Sequence, residues 1–564
     1  MRAALVAAPC ARIAIAALTA LCALPALARA GDLQACAHGA RCGVVTVPLI
    51  ASDPAAGTLP VGYELYAHRG GAKARDTILV SAGSDGAATT ADRTALLALL
   101  DPLRSRRDVV LVDARGSGRS GRVGARKDAY GAVAAAADLD AVRTALGIHH
   151  IELYGAGDGA GIALAYAERH ADRLRALVLD GGPRATLLNG DGRAEAEALA
   201  KALGPGLAVV GRLAARLRLH PLHASGRLDD DALARLATSG DPLVMSELPG
   251  AAAAALHGDA VPLARLAAAS ATPTAGEIAK ARASSCLDAA PAAPSARIDG
   301  GPFAGATWRR ALGLASCTGF PRPPAPDPVV PAGATPPLVA ALVLGGELDV
   351  RAPTTALRRV AALLPKGTFV RVRGAGSLPS LADPDGCAGA IVRDFLRSRG
   401  HVAAGCASRA LRPQGVAQFP ATLAAAPAAS RDAKAHGRDR SDLSDRRAAT
   451  AAALGVADLL QSAELAAPAA TVKGLRGGSA TVTRTARGVT LALHSVRFVR
   501  DAALDGVVTH DGTSGSVYAA LSLRAADGST RAFVLSWSTS QVNGYAAARG
   551  SSNGRPLLLV LRAP

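Results

Sequence analysis

Hydrophobic and polar positions follow two alternating patterns between residues 44 and 181. Short runs rich in β-branched and apolar residues are separated by Ala/Leu-rich windows with helical spacing, such as Ala132–Leu146 and Gly159–His170. Strands that alternate with helices predict a parallel sheet with crossover connections. The predicted strands are Val44–Ile50, Val61–Ala67, Thr77–Ser81, Asp108–Asp113, His150–Tyr154 and Leu174–Leu179.

This alternation stops after Gly181. The chain is then Ala/Leu-rich with helical periodicity until a proline-rich segment, Pro321–Pro337, and strand patterns resume at Leu338–Leu344 and Thr368–Val372. Helices are predicted at Thr354–Leu364 and Ala388–Arg397. The order is therefore six strands, a helical insertion over about 182–337, two more strands and a final helix.

The last part of the chain has a different pattern. Residues 407–449 are rich in Ala, Pro, Arg and Asp and predict a solvated linker, and Arg446–Ser462 has helical spacing. From about residue 472 the pattern alternates with period two, so 450–564 is predicted to be a helix followed by an all-β domain. Its clearest strands are Ala480–Thr485, Val489–His494, Ser516–Arg524 and Ala532–Trp537.

The first thirty residues have the pattern of a secretory signal peptide. Arg2 and Arg12 flank the start of an apolar stretch, Ile13–Leu27, and Ala28-Arg29-Ala30 gives a small-x-small cleavage pattern. We expect cleavage after Ala30 and a secreted or extracytoplasmic mature protein. No later run reaches about 18 apolar residues, so no transmembrane segment is predicted after cleavage.

Cleavage would leave six of the eight cysteines, an even number that suits an oxidising compartment. Their order along the chain suggests disulfides between near neighbours. No CxxC occurs and no histidine stands at ligand spacing beside a cysteine, so we predict no metal site, and we expect no cofactor. The suggested pairs are Cys36–Cys42, Cys286–Cys317 and Cys387–Cys406.

Composition narrows the possible partners. The chain has 63 Lys+Arg against 45 Asp+Glu, with a formal net charge of +18, but only two Trp, seven Tyr and seven Phe in 564 residues. A basic stripe interleaved with aromatic residues is missing from the sequence, which argues against nucleic-acid binding. The basic charge would suit an acidic cell-envelope polymer as a partner of the terminal β domain.

Several motifs along the strand–helix series resemble one family. Asp108-Val-Val-Leu-Val-Asp113-Ala-Arg115-Gly116, Leu153-Tyr154-Gly155, Val178-Leu-Asp180-Gly181 and Leu344-Gly-Gly-Glu-Leu-Asp349 occur in that order. They resemble segments of secreted α/β-hydrolases of the tripeptidyl aminopeptidase and proline iminopeptidase type. The resemblance covers about 36–410, and Cys387 and Cys406 bracket the closing helix as that family's cysteines do. It implies an α/β-hydrolase domain over 31–406, with a mostly parallel eight-stranded sheet and the insertion as a helical cap.

The catalytic positions that the resemblance implies are largely lost. The nucleophile of this fold stands on a tight strand-to-helix turn, and a histidine oriented by an acid takes its proton. Gly157 occupies the nucleophile position, and Ser377, in Gly374-Ala375-Gly376-Ser377, occupies the histidine position. Only Asp349, at the acid position, is retained. We therefore predict a catalytically inactive member of the family, with a peptide-like molecule as the ligand that the resemblance implies.

Asp158 leaves one alternative open. Its backbone N–H would belong to the oxyanion hole, where its carboxylate would repel developing negative charge. In a register shifted by one residue, Ala156–Ala160 also fits a nucleophile turn with Asp158 as nucleophile, as in an active peptidase or esterase with rearranged chemistry. The competing interpretation is that Asp158 caps the following helix. An aspartyl ester would need a base, and no histidine lies between His257 and His401, which favours capping.

Overall fold

The computed structural model describes residues 33–562 with short gaps. The predicted signal peptide, 1–30, lies outside the described residues. The gaps are 72–73, 75, 84, 184–191, 225, 270–272, 289–300, 314–316, 318, 322–326, 332, 384–385, 410–414, 434–437, 465–469 and 540–544.

The described residues form two large sheets and thirteen α-helices. The strands are β1 (Gln34–Ala35), β2 (Arg41–Ile50), β3 (Asp53–Tyr66), β4 (Asp76–Ser81), β5 (Arg107–Val112), β6 (Ile151–Ala156), β7 (Leu174–Asp180), β8 (Leu222–His223), β9 (Arg227–Leu228), β10 (Ala340–Gly346), β11 (Lys366–Val372), β12 (Ser430–Arg431), β13 (Thr471–Lys473), β14 (Ser479–Thr485), β15 (Gly488–Val496), β16 (Ala502–Asp511), β17 (Ser516–Ala525), β18 (Thr530–Ser538), β19 (Tyr545–Ser552) and β20 (Arg555–Arg562). The helices are α1 (Arg93–Leu100), α2 (Ala132–Ala145), α3 (Asp158–Arg169), α4 (Arg193–Leu203), α5 (Gly206–Leu219), α6 (Asp230–Ala237), α7 (Pro242–Leu256), α8 (Val261–Ala269), α9 (Ala275–Asp288), α10 (Gly305–Ala311), α11 (Thr354–Leu363), α12 (Cys387–Ser398) and α13 (Leu443–Glu464).

The first sheet has the order β1-β2-β3-β5-β4-β6-β7-β10-β11. From β5 to β11 all neighbours are parallel, and β1, β2 and β3 pair antiparallel at one edge. The eight strands predicted from the sequence are present, and the two-residue β1 adds a ninth. This is the α/β-hydrolase fold, as predicted, and its interior strands are apolar on both faces because helices cover both.

Two helix layers cover this sheet. Apolar side chains of α2, α3 and α11 pack on one face, and those of α1 and α12 pack on the other. Helices α4 to α10, with the small β8–β9 pair, lie between β7 and β10 in the chain, where the sequence predicted a helical insertion. This insertion is called the cap below.

The C-terminal part forms an antiparallel sheet with the order β12-β20-β19-β18-β17-β16-β15-β14-β13. Helix α13 packs against its inner face, and both share one apolar cluster with the cap. The cluster joins Leu213 and Leu248 of the cap to Leu459 of α13 and Leu535 of β18. The prediction of an all-β region is confirmed. Its inner face is buried against the cap as well as against its own helix.

The prediction that 407–449 is a solvated linker is wrong for its described residues. Val416 is fully buried and Phe419 is 7% exposed. Ser430–Arg431 pairs with β20, and α13 already begins at Leu443. Alanine- and proline-rich composition misled the prediction, because small apolar residues fit closely against the cap and the C-terminal sheet as readily as they occur in a linker.

The six remaining cysteines form the three predicted neighbour pairs. Their S–S distances are 2.03 Å for Cys36–Cys42, 1.96 Å for Cys286–Cys317 and 2.05 Å for Cys387–Cys406. The first ties β2 to the segment before it, the second ties α9 of the cap to the segment after α10, and the third closes the chain behind α12. Such bonds are consistent with an extracytoplasmic protein.

Candidate functional site

The predicted nucleophile turn is formed where β6 meets α3. Gly157 stands alone between the two elements, with φ 59° and ψ −121°, a conformation with positive φ that disfavours side chains. Position 159 also requires glycine, because a Cβ there would lie 2.0 Å from the Ser81 carbonyl oxygen. The local geometry therefore has the sharp strand-to-helix form of a nucleophile turn, with a hydrogen atom in place of the nucleophilic side chain.

Both polar groups of Asp158 interact with the loop after β4. Its backbone N–H donates to the Gly83 carbonyl oxygen at 2.8 Å. Its carboxylate accepts from the Gly86 backbone N–H at 3.1 Å. In this fold that Asp158 N–H would face the developing oxyanion, but here a neighbouring carbonyl has taken it. The carboxylate at the start of α3 also lies where free N–H groups favour a negative charge.

Ser377 is in contact with the main chain of the cap. Its backbone N–H donates to the carbonyl oxygen of Gly240, in the turn between α6 and α7, at 3.0 Å. A Cβ placed on Gly240 would lie 2.7 Å from the Ser377 Cβ, and one on Gly376 would lie 1.8 Å from the Gly240 oxygen. This turn has room for serine at the position where the family has histidine. The Gly240 turn therefore lies close against the Ser377 side chain.

Asp349 follows β10 and is 2% exposed. Its Oδ1 accepts from the backbone N–H groups of Arg351 at 2.9 Å and Ala352 at 3.0 Å. This carboxylate oxygen is therefore engaged in its own loop, and it stabilises the turn that leads into α11.

The loops that carry the three predicted triad positions meet around two glycines. A Cβ on Gly181 would lie 1.5 Å from the Ser377 carbonyl oxygen, and one on Gly182 would lie 2.5 Å from the Gly157 carbonyl oxygen. On the other side, the Leu348 N–H donates to the Ala375 carbonyl oxygen at 2.9 Å, which joins the Asp349 loop to the Ser377 loop. The structure thus brings the loops that carry Gly157, Ser377 and Asp349 together at one edge of the sheet. Their assignment to the nucleophile, histidine and acid positions stays a prediction.

A buried polar cluster beside these positions was not foreseen. Asp180, at the end of β7, accepts from the Tyr154 hydroxyl at 2.7 Å and from the Ser380 hydroxyl at 2.6 Å. Burial raises the pKa of Asp180 to about 6, and the negative charge of Asp349 adds to this. The cluster ties the Ser377 loop to the sheet. Its only sequence signal was the Leu-Asp-Gly motif at the end of a strand, which the resemblance contained without a role.

Helix α9 of the cap covers the other side of the turn. A Cβ on Gly86 would lie 2.4 Å from the carbonyl oxygen of Glu277, in α9. From the same helix, Lys280 donates to the Tyr130 carbonyl oxygen at 2.7 Å. Burial lowers the pKa of Lys280, while burial raises the pKa of Asp288 to about 6, with the charge of Asp158 adding to it. Cap main chain therefore lies directly against both the loop after β4 and the Ser377 loop.

In the described part of the chain, no group of three or more His, Cys, Asp or Glu side chains is arranged to hold a metal ion. In the same residues no single helix is long and apolar enough to cross a membrane, and the pair α4–α5, bent by 114°, meets that criterion by length and composition alone.

Comparison with known proteins places this geometry in a family. The model of the alpha/beta hydrolase fold family matches residues 93–384. RutD of Caulobacter sp. (strain K31), named as a candidate carbamate hydrolase, is 36% identical over 115 residues, which are 20% of this chain. The chain spans 40% of the length of that relative.

Solved structures with the same fold are more distant in sequence. A proline iminopeptidase of Mycobacterium smegmatis has 18% identity and a TM-score of 0.35, with 63% of this chain and 98% of that one covered. A thermophilic esterase of Thermogutta terrifontis has 20% identity and a TM-score of 0.31, with 64% and 99% covered. Neither likeness bears on the substrate.

Proposed function

Because the chain belongs to the alpha/beta hydrolase fold family, we propose that it is a secreted member of that family that has lost hydrolytic activity. The observation that carries the proposal is the glycine at the nucleophile position: Gly157 holds the turn conformation and has no group that can attack a carbonyl carbon. The finer assignment, to the tripeptidyl aminopeptidase and proline iminopeptidase type, rests on the sequence motifs alone.

The other parts of the machinery support the same proposal. A general base must reach the nucleophile, and Ser377 at the histidine position has no basic group. The Asp158 N–H, which would stabilise an oxyanion, donates at 2.8 Å to Gly83 instead. Loss of one oxyanion donor alone costs about 10²–10³ in rate. Each loss is sufficient to impair catalysis, and here they occur together.

An active hydrolase with Asp158 as nucleophile has less support. The Asp158 carboxylate accepts from the Gly86 N–H at 3.1 Å, so it is held in the loop and not presented to a substrate. Lys280, whose charge interacts with that of Asp158, is 6% exposed and donates to the Tyr130 carbonyl oxygen. Asp158 is the first residue of α3, whose N-cap is Gly157, and a carboxylate in the first turn of a helix is favoured by the helix dipole.

The peptide-like ligand implied by the resemblance is also part of the proposal. The Gly240 turn is joined to the Ser377 loop by a 3.0 Å hydrogen bond, so a peptide bound beside Ser377 would lie against the cap. Calorimetric titration of the mature protein with tripeptides tests this part. Saturable binding supports it, and the absence of binding at millimolar concentration contradicts it.

Labelling with a fluorophosphonate tests the loss of the nucleophile. The purified mature protein should gain no adduct by intact-mass measurement, because no hydroxyl near Gly157 is activated by a base. The single variant Gly157→Ser should also stay unlabelled, since triad members act as a unit. Ser377→Ala serves as the matched control for changes in the loop. An adduct on the unmodified protein that maps to residues 154–160 or 374–380 would contradict the proposal.

A further inference from the structure

The outer face of the C-terminal sheet carries a cleft that the hydrolase fold does not explain. Its volume is about 700 Å³, within the usual range for ligand sites, and it lies across strands β14 to β19. We define the outer cleft as this cavity. It is far along the chain from the hydrolase motifs and opens on the face that is not packed against α13 and the cap.

Two rows of side chains form the floor of the outer cleft. Strand pairing aligns one residue from each of five neighbouring strands in a row. Because side chains alternate between the two faces along a strand, these residues face outward, whereas their neighbours Val489, Val517 and Trp537 are buried. The first row is Thr490–Thr509–Tyr518–Ser536–Arg549, and the second is Gly488–Asp511–Ser516–Ser538. With strands about 4.8 Å apart, the first row is roughly 19 Å long.

The chemistry of the floor is that of hydroxyl groups around one aromatic ring. Tyr518 lies in the middle of the first row and is 50% exposed. Within the described residues, the hydroxyls of Thr490, Thr509 and Tyr518 have no hydrogen-bond partner, although each can donate and accept. A flat ring flanked by such hydroxyls can stack on the apolar face of a sugar ring while the hydroxyls bind its edge.

Positive charge lines the same cavity. Arg487 and Arg549 both contribute to the outer cleft, and neither forms an ion pair with a residue that the structure describes. The one carboxylate there, Asp511, accepts from the backbone N–H groups of Thr513 and Ser514 at 2.9 Å each. These bonds lower the pKa of Asp511, together with the nearby charge of Arg487. The guanidinium groups of Arg487 and Arg549 suit carboxylate ligands, because a guanidinium can bind a carboxylate through two parallel hydrogen bonds.

We propose that the outer cleft binds an anionic polysaccharide, a linear polymer of sugars that carry carboxylates. The first row is about 19 Å long, and this length matches several successive sugar rings of a linear polymer. A peptide strand fits less well, because the cleft lies on the sheet face, where the ladder already uses the backbone groups that strand addition needs. Single-stranded nucleic acid would need several stacking rings, and among the described residues the floor offers one. The proposal does not depend on whether the hydrolase site is active.

The test uses the full mature protein and polygalacturonate, a linear uronic acid polymer, as the probe. Isothermal titration should give saturable binding that weakens as salt is raised, since charge contributes to it. Tyr518→Ala and Arg549→Ala should each weaken binding by about tenfold or more. Tyr518→Phe should keep most of the affinity because the ring remains.

Arg524→Ala is the matched control for charge. Arg524 lies on the same sheet, is exposed, and pairs with Asp505 at 3.2 Å outside the outer cleft, so its loss should leave polygalacturonate binding unchanged. Unfolding temperatures of all variants show whether the sheet is intact. The proposal is overturned if Tyr518→Ala and Arg549→Ala bind as tightly as the unmodified protein. It is also overturned if polyglutamate or single-stranded DNA of matched charge binds as well as polygalacturonate.

Discussion

Arg265 of the cap joins the cap to the C-terminal part through two buried carboxylates. Its guanidinium donates to Glu247 of α7 at 3.0 Å and forms an ion pair with Asp458 of α13. Glu247 is 2% exposed and Asp458 is 2% exposed. The guanidinium also lies 5.7 Å from the centre of the Phe419 ring. Substitution Arg265→Met keeps a long apolar side chain against Phe419 and removes the charge.

The stability loss expected for Arg265→Met follows from the cost of burying these two carboxylates. Burial raises the pKa of Glu247 from 4.5 to about 7, so the folded state holds that proton more tightly than the unfolded state. Stability therefore falls as pH rises from 4.5 to 7, by about 3 kcal/mol for this group. Without Arg265 both carboxylates lose their counter-charge, and we expect a loss of about 3–5 kcal/mol at pH 8. At pH 5.5 folded Glu247 is neutral, and the loss should be about half as large.

Urea unfolding at pH 8 and pH 5.5 measures both values. The chain has two tryptophans, Trp308 in the cap and Trp537 in the C-terminal sheet, so its fluorescence reports on both sides of the contact. The control Arg524→Met breaks an exposed pair and should change stability by less than about 0.5 kcal/mol at either pH. A loss for Arg265→Met below about 1 kcal/mol, or an equal loss at the two pH values, would refute the reasoning.

Three further results are expected. Ser377→His should lower stability by about 1–3 kcal/mol in thermal unfolding, because the Gly240 turn lies close against the Ser377 side chain and a larger group there must displace it. An unchanged midpoint would contradict this, and Ser377→Ala should stay within about 0.5 kcal/mol. Replacing Cys286 and Cys317 together by serine should cost about 2–4 kcal/mol in urea unfolding, and a cost near zero would contradict a stabilising bond. Elastase should cleave the alanine-rich segment 416–429 slowly, because Val416 and Phe419 are buried; rapid cleavage there would restore the linker prediction.

The sequence predicted the fold well wherever one periodicity ran without interruption. Fully apolar runs such as Leu174–Leu179 become buried interior strands, and the period-two runs after residue 472 become the C-terminal sheet. Composition was a poorer guide than periodicity. It could not show that Val416 and Phe419 pack on the cap, because that burial depends on the shape of two distant surfaces. The shared apolar cluster between cap and C-terminal sheet had no local signal for the same reason.

For the candidate site, the sequence predicted positions and not contacts. That the loops of Gly157, Ser377 and Asp349 lie near one another could be predicted, because each follows a strand at the same edge of the sheet. The 3.0 Å bond from Ser377 to Gly240 could not be predicted, since it joins residues 137 positions apart through an insertion whose course has no repeating pattern. The Tyr154–Asp180–Ser380 cluster could not be predicted either, because nothing in the sequence shows that hydroxyls from a strand and from a distant loop share one buried carboxylate.

Turnover by the unmodified, purified protein is the most direct test of the proposed loss of activity. Aminoacyl, tripeptidyl and short-chain ester substrates would be assayed with the mature protein and with Asp158→Asn, prepared side by side. We predict no hydrolysis above the buffer blank for either, because Gly157 offers no nucleophile and Ser377 offers no base. Hydrolysis that is present in the unmodified protein and abolished by Asp158→Asn would contradict the account and identify Asp158 as a nucleophile in a shifted register.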